Sequence, residues 1–218
     1  MTTLKTWVAA ATMLALSSAA YAAPVFQGRQ ADGTASLTCT VLGATKCAMF
    51  YNTTLNVTIL NDWNIGRGIW SGSTPPAAGS AQALAESAGA AQTDFTGWFL
   101  PTGDGSQGAG ALNQYRSIWN DVGSSLAGLQ AQFDGLQSGP YWSGTDFAPD
   151  PGTAWLFSIA SPFGPNDGDL DIRVQDLTLY AVAVRAGDVT ASVPEPQTLA
   201  LALLALGATV VARRRRPA

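Results

Sequence analysis

The sequence predicts one α+β domain set between a leader and an apolar tail. Three observations carry this reading. The stretch between the two ends, 23–192, is about 170 residues long, which suits one domain with a sizeable core. Within it helical patterns precede the late strand patterns, and no strand–helix–strand unit recurs. No internal repeat divides it.

Residues 1–22 read as a signal peptide. Lys5 supplies the positive start, residues 7–16 the apolar centre, and Ala20-Tyr21-Ala22 a cleavage site, so the mature chain is expected to begin at Ala23. Residues 23–60 are expected to form N-terminal strands. Leu55, Val57 and Ile59 alternate with Asn56, Thr58 and Leu60, a mostly two-residue period. Cys39 and Cys47 are the only cysteines, and in an exported chain they are expected to pair as a disulfide closing a short surface loop. Metal binding would need further ligands, and the chain has no histidine. A redox pair is more often spaced Cys-x-x-Cys.

Residues 61–189 carry the remaining elements. Residues 63–76 read as a loop, with Gly66, Gly68, Gly72 and the breaker Pro75-Pro76. The alanine-rich run 77–90 predicts a helix ending near Gly89. Glycines 103–110 form a turn, and no Gly-Lys-Ser/Thr follows to make it a phosphate loop. Leu112, Tyr115, Ile118 and Trp119 recur as one apolar helix face that packs into the core. Residues 154–159 predict a buried strand, 162–171 a polar loop, and 177–184 a closing strand.

Residues 190–218 are a tail. Val193-Pro194-Glu195-Pro196 precedes an apolar run at 197–212, which as a helix spans ~24 Å, a little short of a ~30 Å hydrocarbon core. Arg213, Arg214, Arg215 and Arg216 follow; their stems can snorkel, and such clusters stay on the cytoplasmic side. The chain ahead of them is therefore expected outside the inner membrane.

This tail resembles the PEP-CTERM sorting signal of bacterial surface proteins: a Pro-Glu-Pro motif, a transmembrane segment and a basic end, in order. The resemblance implies processing by an exosortase-type enzyme and inner-membrane anchoring before that step. It also implies a place at the cell surface or in the extracellular matrix or biofilm of a Gram-negative bacterium. A second resemblance covers about 61–189. Trp98-Phe99-Leu100-Pro101-Thr102, Tyr141-Trp142-Ser143-Gly144-Thr145, Ala154-Trp155-Leu156-Phe157 and Ala183-Val184-Arg185 look like the linked motifs of the Lcl C-terminal domain family. Phe99 stands where that family has an arginine. This likeness implies a C-type-lectin-like fold and an affinity for glycans.

Composition narrows the chemistry. The two ends hold five of 11 basic and one of 15 acidic residues, which leaves 6 and 14, a net charge of −8 between them. Such a domain repels phosphate backbones, so nucleic acid is not expected as a partner. Ser143 has no histidine to activate it. Asp146 and Asp150 would serve as a glycosidase pair only if held about 5–10 Å apart, and beside Pro149 and Pro151 they read as solvated turn residues. No catalytic residue is assigned. Tyr141 and Trp142 beside Asp146 are candidates for a sugar platform, against core packing of Trp142. Asp167, Asp169 and Asp171 offer hard oxygen ligands to calcium, but EF-hand spacing and its closing glutamate are absent. No other cofactor is expected. The reading is an exported, non-catalytic surface or matrix protein that binds exopolysaccharide. The alternatives are a matrix-structural protein without a specific ligand and, behind it, a carboxylate-based glycan-active enzyme.

Overall fold

The structure, a computed structural model, describes residues 25–189 apart from 37–38, 40–45, 106–107 and 160–166. The expected signal peptide, the tail with its helix at 197–212 and Asn166 lie outside the described residues. Among the described residues no helix is long and apolar enough to cross a membrane.

The fold is mixed and strand-rich, with two five-stranded sheets. The first sheet contains β1 (Phe26–Arg29), β2 (Met49–Asn52), β3 (Val57–Leu60), β5 (Trp98–Phe99) and β10 (Val184–Ala186), in the order β1-β2-β3-β10-β5. The second contains β4 (Arg67–Gly68), β6 (Gly139–Asp146), β7 (Thr153–Ile159), β8 (Leu170–Val174) and β9 (Leu179–Tyr180), in the order β4-β9-β6-β7-β8. All pairings are antiparallel except β6 with β9. Because β3 pairs with β10, the segment 23–60 shares its sheet with the end of 61–189.

The disulfide between Cys39 and Cys47 is present, and it backs onto β1: a Cβ on Gly28 would lie 2.5 Å from one sulfur and 2.6 Å from the other. A partly buried ion pair fastens β1 to the chain after β10. Arg29 donates to both carboxylate oxygens of Asp188, at 2.9 and 2.6 Å, and lies over the Tyr51 ring. Two-point contact suits a guanidinium, whose planar fork matches a carboxylate.

Helix α1 (Ala81–Gln92) starts where the Ser80 hydroxyl accepts the Ala83 N–H, a cap that satisfies one of the orphan donors of the first turn. It runs through Gly89, where the sequence places a stop. The reason is tertiary: a Cβ at Gly89 would sit 2.2 Å from Cγ of Trp98, so the glycine admits a buried indole against the helix. Helix α2 (Gln114–Asp121) is capped by Asn113 and buries Tyr115, Ile118 and Trp119 as its spacing predicts. Leu112, expected on that face, precedes the cap and is 80% exposed. Helix α3 (Leu126–Gln132) was not legible in the pattern, since it buries a single large side chain, Leu129.

The expected closing strand 177–184 divides. Its first half is β9 in the second sheet and its end starts β10 in the first. Ala181, Val182 and Ala183 cross between them and are fully buried, so alternation is lost where both sides are core. One core cluster gathers Trp63, Tyr115, Phe133, Tyr141 and Phe157; the other gathers Trp98, Leu100, Trp142, Leu156 and Ala183. Tyr115 stacks on Phe157 at 4.7 Å, and Trp63 packs at 5.0 Å from Phe133.

Candidate functional site

The motif residues of the sequence converge, but as framework. Val184 and Arg185 of β10 pair with Phe99 and Trp98 of β5. The Gly144 N–H donates to the Pro101 carbonyl at 2.8 Å, and the Gly103 N–H to the Thr145 hydroxyl at 3.3 Å. Tyr141 and Trp142 pair with Phe157 and Leu156 across β6 and β7. The two sheets are thereby stitched at one seam.

This seam corrects the sugar-platform expectation. Tyr141 and Trp142 are both 0% exposed, so neither ring has a face for a ligand. The Trp142 indole donates to the carbonyls of Gly68 and Leu177, at 3.1 and 3.2 Å. The Tyr141 hydroxyl donates to the Trp63 carbonyl and accepts the Gln137 N–H. Burial pushes the Tyr141 and Tyr115 hydroxyls well above the ordinary tyrosine range, because an ionised phenol would lose its hydration. Ser143 is likewise closed off, its hydroxyl held by the Gly103 and Thr145 carbonyls at 3.4 Å each.

Asp146 does reach the surface. The β6–β7 register shifts by two residues between Trp142 and Asp146, and this bulge turns Gly144 and Asp146 outward. They form one wall of an open groove of about 520 Å³. The opposite wall is α1, whose buried positions Ala81, Ala85 and Gly89 leave Gln82 and Glu86, four apart, on the outer side. Phe99 and Trp70 supply aromatic surface, and the loop Ser71-Gly72-Ser73-Thr74 also lines the groove.

The groove is braced. The Trp70 indole donates to the Ser143 carbonyl at 2.8 Å, and its backbone N–H to the Gln175 carbonyl at 2.9 Å. The Ser71 N–H donates to Gln82 Oε1 at 2.8 Å, and the Ser71 and Ser73 hydroxyls bond each other at 2.8 Å. Glu86 and Asp146 have no ion-pair partner among the described residues, and the groove lining contains no lysine or arginine. Asp150 does not line it. The hypothetical carboxylate pair Asp146–Asp150 is therefore not assembled there.

The calcium ligands proposed from sequence are not gathered either. Asp171 is ion-paired with Arg173 at 2.6 Å. Among the described residues no group of three or more acidic or cysteine side chains could hold a metal. Sequence reasoning missed Trp70, Gln82 and Glu86. The available signals were an aromatic heading a hydroxyl-rich loop before Pro75-Pro76, and the single glutamate between leader and tail.

Residues 192–216 match the PEP-CTERM protein-sorting motif. The motif suggests export, membrane anchoring before processing, and sorting by an exosortase-type enzyme. No curated protein matches the chain.

Proposed function

We propose that this is a non-catalytic surface or matrix protein of C-type-lectin-like type, which holds an extracellular polysaccharide in the groove between α1 and the β6 bulge. The observation that carries the reading is the lining itself: the rings of Trp70 and Phe99 beside Gln82, Glu86, Asp146 and serine and threonine hydroxyls. Aromatic surface suits the apolar face of a sugar, and carboxylates and amides suit its hydroxyls. Support for the lectin-like assignment comes from the meeting of the resembling motifs at one seam. Phe99 in place of the family's arginine removes a cation from this region. With Glu86 and Asp146 unbalanced by any cation of the lining, the groove favours a neutral or amine-bearing glycan and disfavours a uronate polymer.

The test is a glycan array probed with the full-length chain in detergent, beside its Trp70→Ala variant. Neutral polysaccharide should be retained by the native chain. A loss of about tenfold in affinity, or ~1.4 kcal/mol, is expected for Trp70→Ala. Absence of binding to every glycan would favour the matrix-structural alternative. Release of reducing sugar that Asp146→Asn abolishes would overturn the non-catalytic reading. Binding that vanishes with chelator would bring calcium back.

A further inference from the structure

The second sheet ends on β8, which among the described residues carries no further strand beyond it. Free edges are templates for strand addition, and chains that persist as monomers must close them. The β7–β8 register shows which groups of β8 point outward. Asp169 accepts the Ser158 N–H, and Gln175 donates to Gly152, so odd positions face β7. Leu170, Ile172 and Val174 therefore turn their N–H and C=O groups away from the sheet.

At Ile172, the middle of the strand, both outward groups are already occupied. Its N–H donates to the Asp171 carboxylate at 2.8 Å, and its carbonyl accepts from the Arg173 guanidinium at 2.7 Å. Asp171 and Arg173, two apart and so on one face, also bond each other at 2.6 Å. The Val174 carbonyl accepts the Leu177 N–H at 3.3 Å. Side chains from the same strand thus stand where an incoming strand would bond. The neighbouring surface would otherwise suit such a strand, since Val174 is 51% and Leu177 37% exposed.

We propose that the Asp171–Arg173 pair is a clasp that closes this edge to strand addition by a second copy of the chain. The need is physical. A protein that is anchored in a membrane before processing sits at high local concentration beside its own copies, where a bare edge would pair. An incoming antiparallel strand centred on Ile172 would have to displace both side-chain bonds and break the ion pair. Surface ion pairs are weak, so the clasp acts by occupying the backbone groups rather than by stabilising the fold.

The experiment measures particle mass by light scattering, with detergent subtracted, for the full-length chain. Asp171→Ala/Arg173→Ala should double the protein mass per particle at concentrations where the native chain does not associate. Adding Ile172→Pro, which removes the outward N–H at an edge position that tolerates proline, should return the mass to the native value. Near-ultraviolet circular dichroism of the buried tryptophans reports whether each variant is folded. If the double variant loses that signature, Arg173→Ala alone, which bares only the Ile172 carbonyl, is read in the same way. A folded variant that keeps the native mass overturns the proposal. So does a doubled mass that survives Ile172→Pro, because association would then run through another surface.

Discussion

Trp142 and Trp70 lie on either side of one strand seam and make opposite use of the same side chain. Each donates its indole N–H to a backbone carbonyl, Trp142 to Gly68 and Leu177 and Trp70 to Ser143. Trp142 is fully buried between the sheets, whereas Trp70 is half-buried and leaves part of its ring in the groove. The hydrogen bond therefore does not tell a structural tryptophan from a binding one. What tells them apart is whether the rest of the ring is covered by core or left beside polar groups. The conspicuous motif Tyr141-Trp142-Ser143 is framework, and the groove proposed for a glycan is lined by a plain loop instead.

The sharpest way to break this comparison is Trp142→Ala. It should cost about 3–5 kcal/mol of stability, since a large ring is lost and two carbonyls lose their donor. Trp70→Ala should cost far less, about 1 kcal/mol, while lowering the proposed glycan affinity about tenfold. Urea midpoints of the two variants check this, and similar losses would mean that Trp70 is framework too.

A second test concerns Trp98, which lies against Gly89. Glycine to alanine inside a helix normally stabilises by about 1 kcal/mol. Here the new methyl would meet Cγ of Trp98 at 2.2 Å, so Gly89→Ala should destabilise instead, by roughly 1–3 kcal/mol. A raised melting temperature would show that α1 can shift away from the indole.

The smallest expected effect is on alkaline stability. Tyr115 and Tyr141 have raised pKa values because burial opposes their ionisation, so the folded state keeps protons that the unfolded state releases. Stability from this source is unaffected below the unfolded tyrosine pKa of about 10 and falls as pH rises above it. Denaturation midpoints between about pH 9 and about pH 11 should decline, and Tyr115→Phe should decline less steeply over the same range. Equal slopes would mean that Tyr115 ionises as freely in the fold as in the open chain.

Much of the architecture was legible wherever one local rule sufficed. The disulfide followed from two cysteines in an exported chain, and α2 followed from apolar residues repeating along one helix face. The strand at 154–159 was visible as an apolar run, and β7 covers it. Other elements depend on what lies opposite. Residues 181–183 are covered on all sides, so nothing in their pattern marks the crossing from one sheet to the other. Gly89 reads as a helix stop until Trp98 is seen against it.

By itself, the sequence determined that this chain carries a sorting tail and, ahead of it, a domain of mixed helices and strands. A sorting tail is read as a linear string of residue types, and its match at 192–216 needs no fold. Only the tertiary structure decided which aromatics are buried and which line a groove. An aromatic beside an acidic residue has the same local pattern in a core and in a cleft. Trp70, Phe99, Gln82, Glu86 and Asp146 come from four separate segments, and the packing of α1 against β5 and β4 helps bring them to one groove.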